Sequence, residues 1–245
     1  MELNKILNRF RRNTKIPHCA AVILAAGSST RMGTDKMLLE LEGIPVMIRS
    51  LQAFEANELV DEIILVTRRD KVEQTAELCR QYELEKLSHV IAGGATRAES
   101  SLAGVSAIGK KTEYIAIHDA ARPLISQKLI TETLYGARDY HAAVPVIPSA
   151  DTLRFIENGF ITGMVDRECI GRIQTPQIFD ADLIKGALTV AVTKQIPITD
   201  DSSAVALTGF QVRAVEGDSN NLKMTTPEDI ILAEAILKER GEGKQ

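Results

Sequence analysis

Cysteine is scarce and scattered in this 245-residue chain. Cys19, Cys79 and Cys169 are odd in number and show no C-x-x-C spacing, so neither a disulfide framework nor a zinc site is expected and a reducing, cytoplasmic setting fits. No run of 18 apolar residues exists, which argues against a membrane-spanning helix. The formal net charge is only −4 at pH 7, so nothing draws the chain globally to nucleic acid. Two familiar glycine loops are missing as well. Gly27 and Gly33 stand six apart, where a dinucleotide fingerprint needs G-x-G-x-x-G, and the G-K-[S/T] of a Walker loop is absent. Internal repeats and low-complexity segments are lacking too. Residues 1–17 have no continuous apolar core and no small-residue cleavage site, so no signal peptide is expected. They carry five cations and space Leu3, Ile6, Leu7 and Phe10 as an amphipathic helix would. We read them as a surface extension, with a membrane-surface or partner-docking helix as the alternative and no stable membrane association expected.

What is present is organised around Ala21–Lys36. The apolar residues Ala21-Val22-Ile23-Leu24 read as a buried parallel strand, and the small residues from Ala25 to Thr30 form a loop after it. Such a loop lets backbone N–H groups approach phosphate oxygens, and Arg31 and Lys36 bring positive charge to the same place. That combination suits a nucleoside triphosphate, whereas an ordinary strand-to-helix turn with two solvated cations is the plainer reading.

Beyond the loop, a helix burying Met47, Leu51 and Phe54 is expected, and the chain then alternates. Strands are read at 62–67, 88–92, 114–118, 142–147 and 211–216, with helices at 71–82, 97–108, 127–137 and 180–191. This pattern predicts an α/β fold with a mainly parallel sheet, helices on both faces and ligands at the carboxyl ends of the strands. The length and 44% hydrophobic content suffice for one large domain, read as 18–240. Two stretches fall at strand ends. Gly93-Gly94-Ala95-Thr96-Arg97-Ala98-Glu99-Ser100 permits close approach of a base or a phosphate, or is simply a tight turn. In His118-Asp119-Ala120-Ala121-Arg122-Pro123, Asp119 is placed to hold a ribose hydroxyl or Mg²⁺, or merely to pair with Arg122. His118 is read as structural.

Between 150 and 171 the alternation breaks. The strand-like runs 152–156 and 160–165 flank Asn158-Gly159, a strong hairpin signal. A lone hairpin has little core of its own, so this is read as a protruding arm that packs on another subunit. The last helix is expected to start with Thr226 as N-cap and Pro227 at the first helical position, and to pack Ile230, Ile231, Ala233, Ile236 and Leu237.

The ordered motifs A-A-G-x-x-x-R-M-G, G-G-x-x-R-x-x-S, H-D-A-A-R-P, D-T, V-D-R, T-P-Q, T-D-D-x-S-A and N-L-K-x-T-x-P-E-D span Ala20 to about Leu237. Together they resemble the 2-C-methyl-D-erythritol 4-phosphate cytidylyltransferases of the non-mevalonate isoprenoid pathway. The resemblance implies a homodimeric, Rossmann-like nucleotidyltransferase fold that uses CTP, a polyol phosphate and Mg²⁺ or another divalent cation to make a CDP-linked methylerythritol and pyrophosphate. It gives Arg31 and Lys36 transition-state stabilisation. Ala25, Ala26, Gly27, Gly94 and Ser100 fall in the nucleotide pocket, and Asp119 in the ribose or metal neighbourhood. Thr152, Arg167 and Lys223 match groups around the sugar phosphate, with Thr199 nearby. Only Gly33-Thr34-Asp35 separates Met32 from Lys36, a shorter span than in some members, and residues 1–17 lie outside the resemblance. A ribitol 5-phosphate cytidylyltransferase and a CTP-binding module without turnover are the alternatives.

Overall fold

A computed structural model describes residues 18–27, 37–109 and 112–241. The 1–17 extension, Arg31 and Lys36 therefore lie outside the described residues. The first strand, β1 (Cys19–Leu24), is buried at every position and alternates its side chains between two cores. Ala21 and Ile23 enter one core, Val22 and Leu24 the other. β4 (Val60–Thr67) does the same with Ile63 and Leu65 against Ile64 and Val66. Full burial on both faces is why these strands read as unbroken apolar runs, and each buried Ile or Leu contributes about 1.5–3 kcal/mol.

Between them come the short pair β2 (Glu40–Leu41) and β3 (Ile44–Pro45), and α1 (Val46–Glu55), which buries Met47, Leu51 and Phe54 as expected. The chain continues through α2 (Val72–Arg80), β5 (Leu87–Ala92), α3 (Arg97–Ala107), β6 (Tyr114–Asp119), α4 (Gln127–Tyr140) and β7 (Ala142–Pro148). α1, α4 and the C-terminal α7 (Glu228–Glu239) cover one face; α3, α5 (Ala181–Thr193) and α6 (Asp201–Ala206) cover the other. α3 approaches closely because it has no side chain at Gly104, where a Cβ would stand 2.3 Å from Val22 Cγ1.

With β10 (Gly171–Ile173), β11 (Gln177–Asp180) and β12 (Arg213–Glu216), the sheet has eight strands in the order β10-β7-β11-β6-β1-β4-β5, with β12 also on β7. β1 pairs in parallel with both β4 and β6, so the strand order reverses at β1. Ligands of open α/β sheets bind at such a point, outside the carboxyl ends of the strands. The expected parallel frame holds, with one addition. β10 and β11 run antiparallel to their neighbours, and β11 separates β6 from β7.

β7 and β10 are joined at Pro148 and Gly171, and the chain between them leaves the sheet. There, β8 (Arg154–Glu157) and β9 (Phe160–Met164) form the expected hairpin around Asn158 and Gly159. Both turn residues have positive φ, 51° and 85°, the mark of a type I′ turn and the reason for the Asn-Gly pair. Phe155, Ile156, Phe160, Ile161 and Met164 are all exposed.

Three expectations are refined. α6, six residues long, was not anticipated. α4 runs three residues further than predicted, to Tyr140, and ends where His141 adopts a left-handed conformation with its N–H on Ala137 O. α7 begins at Glu228, and Asp229 accepts from the N–H groups of Thr225 and Thr226, so a carboxylate rather than the Thr226 hydroxyl closes its start. Helical spacing carries Ala233, Ile236 and Leu237 inward and leaves Ile231 exposed.

Candidate active site

A cleft of about 400 Å³ opens at the strand ends where the sheet order reverses. Leu24, Ala26 and Gly27 line it from β1, Asp119 and Ala121 from β6, Gly94 to Arg97 and Ser100 from the β5–α3 turn, and Met37 and Lys223 from other segments. Its size suits a small polar ligand. Leu24 and Asp119 are register partners, so strand pairing itself brings the first loop and the acidic residue together.

The glycine pair faces its own helix. A Cβ at Gly93 would stand 2.7 Å from Ser100 Oγ and 2.9 Å from Ala26 Cβ, and one at Gly94 2.2 Å from Glu99 Cβ. Thr96 and Glu99 form a reciprocal capping box, with Glu99 N–H donating to Thr96 Oγ1 at 3.1 Å. Ala95 N–H donates to Glu99 Oε2 at 2.6 Å and Gly94 N–H to Ser100 Oγ at 3.2 Å. The turn is thus held rigid beside the cleft.

Asp119 is buried beneath three cations. Arg97 Nη1 donates to Oδ1 at 2.8 Å, Lys223 Nζ to Oδ2 at 2.7 Å, and Arg122 Nε lies 3.9 Å from Oδ2. Burial alone would raise this carboxyl, but Arg97, Lys223 and Arg122 hold it well below the usual carboxylate range. The second arm of Arg97, Nη2, donates to Asp201 Oδ2 at 2.6 Å. Burial works against the charge on Arg97 too, yet Asp201 and Asp119 together raise its pKa.

Behind Asp119, donor and acceptor roles are determined. Arg122 O can only accept, so His118 Nε2 carries the proton at 3.2 Å and Nδ1 accepts from Thr175 Oγ1 at 3.0 Å. Thr175 Oγ1 in turn accepts the Asp119 N–H at 3.1 Å. His118 is fully buried, with its ring 5.0 Å from that of Phe54, and burial lowers its pKa to about 4. This neutral imidazole supports the loop, in line with a structural role.

Of the residues singled out in the sequence, Ala26, Gly27, Gly94, Ser100, Asp119 and Lys223 come together on the cleft. Ala25 lies behind it, with its N–H donating to Val66 O. Thr152 and Arg167 are exposed at the arm, and Thr199, 3.4 Å by its hydroxyl from Ser203 Oγ, precedes α6; none of the three lines the cleft. Arg97 and Asp201 were given no role by sequence reading. Arg97 had a local signal, because Thr96-Arg97-Ala98-Glu99 spells a capping box, whereas Asp201 meets it across 104 residues. Among the described residues no cluster of three or more metal-ligating side chains occurs, and no helix is long and apolar enough to cross a membrane.

The family model of 2-C-methyl-D-erythritol 4-phosphate cytidylyltransferase matches residues 19–239. The chain belongs to this family. A cytidylyltransferase of that name from Clostridium novyi is 38% identical over 222 residues, covering 89% of this chain and 96% of its own. Another from Caldanaerobacter subterraneus subsp. tengcongensis is 40% identical over 223 residues, covering 89% and 98%. The crystal structure of 4-diphosphocytidyl-2C-methyl-D-erythritol synthase from Anaerococcus prevotii superposes with a TM-score of 0.81 at 31% identity, covering 91% of this chain and 97% of that one. The fold is therefore that of the family.

Proposed function

We propose that this chain transfers the cytidylyl group of CTP to 2-C-methyl-D-erythritol 4-phosphate, releasing pyrophosphate. Family membership along nearly the whole chain supports the reaction. The observation that carries the site assignment is the clustering of Arg97, Arg122 and Lys223 around Asp119, which lines the cleft together with Arg97 and Lys223. A phosphate oxygen of the polyol attacks the α-phosphorus of CTP, and both reactants are anions. The nucleophile is already charged, so no general base is needed and the task is neutralisation and in-line positioning. His118, neutral and enclosed, takes no part. Arg31 and Lys36 are assigned to the developing charge at the α-phosphorus. The turn from Gly94 to Ser100, together with Ala26 and Gly27, receives the nucleotide, with Ala25 supporting the first loop from behind. Lys223 meets the polyol phosphate, with Thr199 nearby.

Mg²⁺, or another divalent cation, fits here only as a partner of the phosphates. Both oxygens of Asp119 are engaged by cations, and the described residues hold no ligand cluster, whereas Mg²⁺ is commonly held by one or two carboxylates plus substrate phosphates. When bound, it would neutralise phosphate charge, with Asp119 lending at most an oxygen now shared with Lys223.

The exposed apolar hairpin supports a homodimer in which the arm packs on a second copy and delivers Thr152 and Arg167 to the partner's cleft. Arg suits a bidentate grip on phosphate. Pyrophosphate release from CTP tests the reaction, with methylerythritol phosphate and ribitol 5-phosphate offered separately. Turnover with the first alone is expected. Turnover with ribitol 5-phosphate instead, or CTP binding without turnover, would overturn the assignment.

A further inference from the structure

Asp201 has no part in the reaction just described, yet it is tied to the carboxylate that lines the cleft. It is the first residue of α6 and is 0% exposed. Ser101 Oγ donates to its Oδ1 at 2.6 Å and Arg97 Nη2 to its Oδ2 at 2.6 Å. The other arm of Arg97 holds Asp119 Oδ1, and Asp119 Oδ2 holds Lys223. Ser101, Asp201, Arg97, Asp119 and Lys223 therefore form one continuous series, from the interior between α3 and α6 to the cleft. Neutral neighbours of similar volume would often stabilise the interior as well as a buried ion pair does. What the pair adds is direction. A guanidinium is a planar fork, and with one arm on a buried, twice-held carboxylate the other arm has one direction left. The start of α6 is itself fixed, because Asp200 accepts from Ser203 N–H, Ser202 Oγ and Gln177 Nε2, while Gln177 Oε1 accepts the Ser202 N–H.

We propose that Asp201 is a positioning residue: through Arg97 it sets the orientation of Asp119 and thereby the place of Lys223 at the cleft. With Asp201 neutralised, both arms of Arg97 can turn to Asp119, so that Lys223 must share with the guanidinium the oxygen it now holds. The proposal rests on Lys223 meeting the polyol phosphate. Steady-state kinetics of Asp201→Asn test it, with both substrates varied and urea unfolding measured in parallel. Three explanations give different signs. Simple loss of a negative charge makes the site more attractive to anions and lowers both KM values. A purely structural role lowers the urea midpoint and leaves KM unchanged. Positioning raises KM for the polyol phosphate about tenfold, a displacement of well under 1 Å in effect, and leaves KM for CTP within about twofold. Ser101→Ala, which removes the other hold on Asp201 at a residue that does not line the cleft, should show the same split in smaller measure and serves if Asp201→Asn fails to fold. On a Lys223→Met background, Asp201→Asn should add little. A full, additive effect there, or no rise in KM for either variant, overturns the proposal. Wild-type turnover in the same assay is scored first, so failure of the reaction assignment is seen separately.

Discussion

His118 should make the stability of this protein depend on pH in a window where few other groups contribute with the same sign. The imidazole is 0% exposed and lowered by burial to about 4, against an ordinary value of about 6.5. In the unfolded chain it takes a proton near 6.5, and in the native fold only near 4. As pH falls through that interval the unfolded state binds the proton first, so the contribution is fully present above about 6.5 and is lost towards about 4. The difference corresponds to about 3 kcal/mol, a large share of the roughly 5–15 kcal/mol that holds a typical domain together. Asp119, held below the usual carboxylate range, stays charged in the native fold and adds slope of the same sign only towards the acid end, where the unfolded carboxyl begins to take up a proton. Asp201, pushed upward by burial, acts with the opposite sign, so the informative quantity is a difference between proteins. Urea unfolding of wild type and His118→Gln from about pH 7.5 to about pH 4.5 measures it. Gln can donate to Arg122 O and accept from Thr175, but it does not titrate. The variant should be less stable at neutral pH and should lose about 3 kcal/mol less than wild type across the interval. Equal slopes in the two proteins would refute the reading of His118 as an enclosed neutral imidazole.

Arg31→Ala and Lys36→Ala should each lower kcat about 10²- to 10³-fold, the usual effect of losing a preorganised charge at a transition state, with thermal midpoints near wild type; near-normal turnover would remove the role from that residue. CTP should be preferred to UTP and purine triphosphates should be poor, because a site that satisfies one donor pattern leaves groups unpaired when the pattern is reversed; competition assays giving equal kcat/KM for CTP and UTP would contradict this. If Arg167 serves the partner's cleft, mixing inactive Lys36→Ala and Arg167→Ala chains under verified subunit exchange should return about a quarter of wild-type activity, since half the dimers are mixed and each of those has one intact site. No recovery would assign Arg167 to its own chain.

Where a local pattern decides the structure, sequence reading reached it. Ala21–Leu24 and Ile63–Val66 supply apolar side chains to both faces, as an inner strand requires, and Asn158-Gly159 demands two positive φ angles in succession. Both strand-end motifs, at Gly93 and at His118, proved to border the cleft. β11 escaped notice because four residues, Gln177–Asp180, carry too little periodicity to reveal a strand, and α6 is too short to show a helical face. Asp201 was invisible for a different reason. Its meaning lies in Arg97 and Ser101, about a hundred residues away, and no local rule reports such a meeting.

The antiparallel β11 bears on how the chain can be assembled on the ribosome. β6 and β7 are complete once Pro148 has been made, but they do not pair with each other, and the slot between them is filled only by Gln177–Asp180. Until that segment emerges, β6 presents a bare row of backbone donors and acceptors, the kind of edge that recruits foreign strands. The arm, residues 149–170, is made during this interval, with its exposed Phe and Ile side chains. A nascent chain from which the arm has emerged but Gln177–Asp180 has not would therefore carry an open strand edge and an uncovered apolar hairpin at once, a state that calls for chaperone protection.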